Sequence, residues 1–282
     1  MRLTPAACAA GLSVVRRTVP AMRFAINIPP FTDAGTVVDI AVEAETAGWD
    51  GVFLWDHLQW IPDQLIDVHN PWVLLGAIAR CTARVRVGTL VTPLSRRRPW
   101  QVAKELITLD HLSAGRAVLG VGLGETPESD FAAFGEPDGT RDRAVLLDEG
   151  LEVLDGLLRG DHVAHRGPHF RVDTRVSPRP LQEPRPPIWV AGIVPNQPPL
   201  RRAVRYNGIV PIGRELLLPD QLAAYIGPHL RPEWDVVSPW APGVPAEEYA
   251  DAGATWLVES TEPLGDWVPE FRQRVNAGPV LR

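Results

Sequence analysis

A chain of 282 residues, 45% hydrophobic and 22% charged, has the makeup of a globular enzyme and is long enough to bury a large core. Its net charge of −6 argues against nucleic acid or an anionic membrane surface as partner, and its two cysteines, Cys8 and Cys81, give no disulfide framework, so a reducing cytoplasm is the expected compartment. No apolar run reaches the roughly 18 residues that a membrane helix needs.

The first 21 residues show no strand or helix periodicity. Their short hydrophobic part is interrupted by Gly11, Arg16 and Arg17, which weighs against a cleaved signal peptide without removing it. A disordered extension, or a start codon placed too early, is expected here, with the folded domain running over residues 22–282. From Arg23 onward strands and helices alternate. RFAINIP (23–29) reads as a strand, and residues 36–49 as an amphipathic helix capped by Thr36 or Thr32. GVFLW (51–55) is a second strand, and Asn70 caps a helix with Pro71 in its first turn. Strands at 85–92 and 117–124 enclose a helix at 99–113, and a long amphipathic helix covers 141–160. Four further strands follow at 187–192, 208–213, 234–239 and 255–260, each with a helix behind it.

Strands alternating with helices at this spacing pair in parallel through right-handed crossovers. Eight such units predict a single-domain (β/α)8 TIM barrel. A doubly wound open sheet is the runner-up, but it usually stops short of eight strands. Residues 161–186, rich in Pro and Arg and without strong periodicity, read as an excursion between the fourth helix and fifth strand.

On a barrel the active site sits at the C-terminal strand ends. Asp56 and His57 end the second strand, Thr89 to Thr92 the third, Gly122 to Glu125 the fourth and Ala191 to Val194 the fifth. Glycines there let backbone amides approach a ligand, and exposed amides suit phosphate. As neighbours on an extended chain, Asp56 and His57 point opposite ways, so different tasks are expected of them. Arg96, Arg97 and Arg98 form a charge run of the kind that is ordinarily solvated, although on the mouth side it could also meet an anionic cofactor tail. His69 and His111 read as structural. His162, His165 and His169 have metal-like spacing but no cysteine or clustered carboxylates, so no metal is expected.

The run VRVGTLVTPLSRRRPWQVAKELITLDHLSAGRAVLGVGLGE (85–125) resembles the luciferase-like monooxygenase superfamily. The shared features are the third strand, the Arg-Pro pair opening the next helix, the LDxLSxGR turn and the GVGxG strand. EAETAGWDGVFLWDH (43–57) and PRPPIWVAG (184–192) are similar to its second and fifth strands. The resemblance implies a barrel using coenzyme F420 or reduced flavin mononucleotide (FMN) on a small-molecule substrate. DHLQW (56–60) resembles the second-strand end of the F420-dependent dehydrogenases, so F420 is preferred. That implies Asp56 and His57 beside the deazaflavin ring, Glu125 as a proton-transfer candidate, and a strained peptide bond at Leu90-Val91 or Val91-Thr92. Cofactor contacts are expected from Leu90, Val91, Thr92, Gly122, Gly124, Gly192, Ile193 and Arg97. The alternative is an FMN-dependent monooxygenase served by a separate flavin reductase; a homodimer is compatible with both. Two readings of other classes stay open, a metal-dependent hydrolase or isomerase and a non-catalytic flavin-binding barrel.

Overall fold

The computed structural model describes residues 22–62 and 64–279, and the extension expected at 1–21 lies outside them. Helix starts follow capping chemistry. Asp33, not a threonine, opens α1 (Ala34–Thr46), its Oδ1 accepting the Thr36 amide at 3.0 Å. Asn70 accepts the amides of Trp72 and Val73 and Pro71 takes the first turn of α2 (Pro71–Cys81), as the sequence predicts.

Eight strands among the described residues close a parallel barrel: β1 (Arg23–Ile28), β2 (Gly51–Leu54), β3 (Arg86–Pro93), β4 (Ala117–Gly122), β7 (Ile188–Ile193), β8 (Gly208–Ile212), β9 (Asp235–Pro239) and β10 (Trp256–Ser260). β10 pairs back onto β1, with Asn27 opposite Ser260. The long helices α3 (Pro99–Leu112) and α5 (Thr140–Arg159) follow strands of the first half, and α6 (Gln197–Ala203), α7 (Pro219–Ile226), α8 (Ala246–Asp251) and α9 (Val268–Ala277) follow those of the second. The excursion contains an antiparallel hairpin, β5 (Val163–Arg166) with β6 (Arg171–Thr174), that its sequence does not announce. Glu149 of α5 anchors it by accepting from His165 Nε2, at 3.0 Å, and from the amides of His169 and Phe170.

Alternation along each strand divides the core in two. Ala25, Phe53, Val118, Trp189, Trp256 and Val258 fill the barrel interior, and a larger cluster lies between strands and helices. At the floor, Asp235 pairs with Arg23 and accepts the indole N–H of Trp189 at 3.0 Å and of Trp256 at 3.3 Å. The LDHLSAGR segment is a clamp. Asp110 accepts the amides of Leu181 and Gln182, holding the end of the excursion, and Arg116 donates to the carbonyls of Ala79, Thr82 and Val85, closing the end of α2.

β3 is irregular where it reaches the mouth: its register against β4 shifts between Thr89 and Thr92, and the Leu90-Val91 peptide is cis. Glycines make room for it. A Cβ on Gly120 would lie 2.4 Å from the Thr89 carbonyl oxygen, and one on Gly88 would lie 1.9 Å from that of Val118. Gly88→Ala is therefore expected to destabilise the fold by about 1–3 kcal/mol, the usual cost of overpacking. Gly227→Ala, where a Cβ meets nothing within 4 Å, is the control. Urea unfolding of the two variants checks this; equal midpoints would contradict it.

Candidate functional site

The adjacent pair Asp56 and His57 does diverge beyond β2. Asp56 is 2% exposed and faces the start of the β3–α3 connection. Its Oδ2 accepts the Thr92 hydroxyl at 2.9 Å, and its Oδ1 accepts Nη2 of Arg97 at 2.9 Å and of Arg96 at 3.1 Å. Arg96 also donates to the Asp56 carbonyl at 2.7 Å. The arginine run is thus split. Arg96 and Arg97, with side chains 3% and 15% exposed, are held by Asp56, and Arg97 reaches Glu105 as well. Arg98 alone is the exposed arginine that composition suggests for all three.

His57 turns the other way. Its Nδ1 lies 2.7 Å from Asp130 Oδ2, and the other Asp130 oxygen accepts the amides of Leu58 and Gln59 at 2.8 and 2.9 Å. An ionised carboxylate only accepts, so Nδ1 carries the proton and Nε2 is the ring nitrogen left for a ligand. Phe31 and Trp55 rings each stand 6.0 Å from the imidazole, and Trp60 packs on both. Asp130 ends the short helix α4 (Pro127–Asp130) after β4, and its side chain is fully buried. Burial alone would push its carboxyl up, but the His57 bond and charge, the Gln59 amide and Arg96 outweigh that and hold it below the ordinary carboxylate range. A lowered carboxyl contributes stability that is complete above its unfolded pKa and is lost as pH falls through the folded value. Glu149 is lowered in the same sense, with burial again opposed by His165 and the two hairpin amides. The thermal midpoint is therefore expected to hold from pH 8 to 6 and to fall below about pH 4. Calorimetry across that range checks it; an acid-stable plateau would contradict it.

Two mouth residues had no sequence signal. Asp130 follows its strand in a four-residue helix, too short for periodicity, and only folding brings it to His57. Asn27 lies two residues beyond Ala25, on the same inward face of β1. Its Nδ2 donates to the Leu90 carbonyl at 3.1 Å, while its Oδ1 is buried with no partner. A buried amide oxygen without a donor is costly, so it is a candidate ligand contact.

The remaining expected residues fall in different places. Leu90 is buried in the barrel interior, and Val91 packs against that cluster. Thr92 is buried and bonded to Asp56. Ile193 follows Trp189 and Ala191 on the inward face of β7 and is 44% exposed at the mouth. The missing side chains of Gly122, Gly124 and Gly192 leave room for the protein itself: a Cβ would meet Val91, the Phe131 ring and Pro199, respectively. Arg143 of α5, not foreseen, fixes the loop after β4 through the carbonyls of Leu123 and Gly124. Glu125 in that loop is exposed. Arg96 lies 4.0 Å from Asp130, so Asp56, Thr92, Arg96, Arg97, Asp130 and His57 form one continuous network. Among the described residues no three His, Cys, Asp or Glu side chains converge as a metal site, and no helix is long and apolar enough to cross a membrane.

A family model described as luciferase-like monooxygenase matches residues 21–209. An F420-dependent glucose-6-phosphate dehydrogenase of Kineococcus radiotolerans is 37% identical over 161 residues, covering 56% of this chain and 46% of the relative. This chain spans about half the length of the curated relatives it matches. Among solved structures, an F420-dependent secondary alcohol dehydrogenase in complex with an F420-acetone adduct superimposes with a TM-score of 0.75 at 18% identity, covering 93% of this chain and 99% of that one. The coenzyme F420-dependent tetrahydromethanopterin reductase of Methanopyrus kandleri gives 0.73 at 17% identity, covering 91% and 97%. At such identities the likeness is one of fold.

Proposed function

The chain belongs to the luciferase-like monooxygenase family, and on that premise we propose that it is an F420-dependent oxidoreductase acting on a small organic molecule. The observation that carries this reading is the His57–Asp130 pair, at 2.7 Å, placed at the C-terminal end of β2 beside the irregular end of β3. The relatives named for F420 support the choice of cofactor.

A planar heteroaromatic ring with N–H donors fits the residues present. Asn27 Oδ1 is a buried acceptor without a donor, and Val91 and Ile193 offer partly exposed apolar surface. These three residues and Leu90 would hold the ring. Thr92 and Arg97 would act at one remove, by fixing Asp56. Hydride transfer is the chemistry that such a ring supplies when bound. His57 Nε2 gives or takes the accompanying proton, and Asp130 fixes the ring's tautomer and stabilises the imidazolium. Phe31, Trp55 and Trp60 keep water from that imidazole, whose side chain is 11% exposed. Glu125, exposed at the rim, is the second candidate for moving a proton. The barrel from residue 22 onward is the proposed functional unit, with the cytoplasm as its compartment.

Titrating the purified chain with F420 and, separately, FMN tests the reading. Saturable F420 binding with weaker FMN binding is expected. The reverse order would favour the flavin-dependent alternative, and binding of neither would overturn both. Asp130→Asn should lower turnover while leaving F420 affinity unchanged, because the amide offers Nδ1 a donor and reverses the tautomer of His57. Steady-state kinetics with a cofactor titration check it. An unchanged turnover would leave Asp130 as an anchor of the 57–59 loop alone.

A further inference from the structure

The half of the mouth formed by β7 to β10 is aliphatic. Ile193 and Ile212, register partners at the ends of β7 and β8, are 44% and 38% exposed. Leu216 and Leu218, in the loop after β8, are 58% and 42% exposed, and Leu264, in the loop after β10, is 61% exposed. A lone exposed aliphatic needs no explanation, but five gathered at one rim of a candidate site do.

Charge points the same way. The loops that follow these four strands carry one basic residue, Arg214, and its neighbour is Glu215. Glu262 and Asp266 stand in the loop after β10. Several arginines on neighbouring elements are engaged, Arg202 with Asp148, Arg274 with Glu259, Arg143 with two loop carbonyls, and Arg96 and Arg97 with Asp56, while the exposed Arg98, Arg141 and Arg201 lie outside the four loops. A sugar phosphate would bring about two negative charges to a rim with more acids than bases, and its hydroxyls would face methyl groups. Polar groups desolvated without partners cost binding energy.

Within the oxidoreductase reading proposed above, we infer that the substrate is a small, uncharged molecule with an aliphatic body and one hydroxyl or carbonyl oxygen, and not a phosphorylated sugar. Burial of carbon against Ile193, Ile212 and the leucines supplies the affinity. The single oxygen meets His57 Nε2. This separates the chain from the sugar phosphate named for the relatives that match half of it.

The test uses the full chain loaded with F420, with calorimetric titration of 1-butanol, 1-hexanol, 1-octanol and glucose 6-phosphate at two salt concentrations. Affinity for the alcohols should rise about fourfold per added methylene, the equivalent of about 0.8 kcal/mol, with little salt dependence. Glucose 6-phosphate should not saturate. Ile212→Asn and Leu216→Asn should flatten the series, whereas Val73→Asn, at an exposed position on α2, should leave it as it is. A flat series, or salt-sensitive saturation by glucose 6-phosphate, would overturn the inference. So would a flat series in which Ile212→Asn converts a dimer to a monomer on sedimentation, since a second copy would then cover the rim. Failure of F420 to bind defeats the proposed function instead. In that event the same series on the cofactor-free chain decides: chain-length dependence lost in Ile212→Asn upholds the aliphatic site, and its absence ends it.

Discussion

Asp56→Ala is expected to destabilise the protein by about 3–5 kcal/mol, the range found when one partner of a buried ion pair is removed. The carboxylate is the counter-charge of two guanidinium groups whose side chains are 3% and 15% exposed. Nε of Arg96 and of Arg97 already lacks a partner, so losing Asp56 adds to donors that are unsatisfied already. The Thr92 hydroxyl also loses its acceptor, next to the irregular end of β3. Arg97 retains Glu105 at 3.5 Å, and Arg96 keeps its donation to the residue-56 carbonyl and lies 4.0 Å from Asp130, so each guanidinium group is left with fewer partners. Asp56→Asn keeps the volume and an acceptor, and should fall between wild type and Ala. Urea unfolding, with the midpoint moving at constant slope, measures both. If Asp56→Ala left the midpoint in place and weakened only F420 binding, the side chain would be a ligand contact and not the hub of this network.

The same geometry changes what the arginine run means. Replacing Arg96, Arg97 and Arg98 together by Gln would weaken cofactor binding and spare stability for a cofactor-facing run, and would change neither for a solvated one. With Arg96 and Arg97 bonded to Asp56, the triple variant should lose stability first. Sequence could not show this, because the partner lies 40 residues away along the chain and is brought close only by the pairing of β2 with β3.

What was legible in the sequence was whatever depends on local periodicity. The eight barrel strands, the long α3 and α5 and the cap of α2 by Asn70 all follow from side-chain spacing and local hydrogen bonds, and the structure has them. Strand alternation predicts that Asp56 and His57 part; they take different partners, but β2 ends at Leu54 and both residues lie beyond it. The hairpin at 163–174 escaped because its strands are four residues long and mostly exposed, so they show no clear apolar alternation. The glycines of the GVGLG segment read as openings for a ligand, yet those at 120 and 122 accommodate Leu90 and Val91 of the neighbouring strand. Asp130 and Asn27 were invisible because their roles rest on contacts 73 and 63 residues distant in sequence.

His57→Asn is the variant expected to cost most activity. Loss of a general acid or base lowers turnover by about 10²–10⁴. The readout is turnover of F420-loaded protein on the alcohol it binds best, with F420 affinity measured beside it. Affinity should stay close to wild type, since Asn27, Leu90, Val91 and Ile193 are untouched. Some stability should be lost as well. A histidine at an open rim would bear no packing, but this one bonds to a fully buried carboxylate, and Asn holds that bond less well. A cost of about 1–3 kcal/mol is expected, as for a buried group left poorly paired and below that of Asp56→Ala. The double variant His57→Asn, Asp130→Asn separates mechanism from scaffold. If Asp130 acts through His57, the two form one unit and the double variant should be no slower than His57→Asn alone. If the two losses of turnover multiply, each group does separate work. A limb of the pH–rate profile present in wild type and absent in His57→Asn assigns the titration to this imidazole. A limb that persists assigns it to Glu125, and full turnover per folded molecule in His57→Asn would reduce the histidine to a loop anchor.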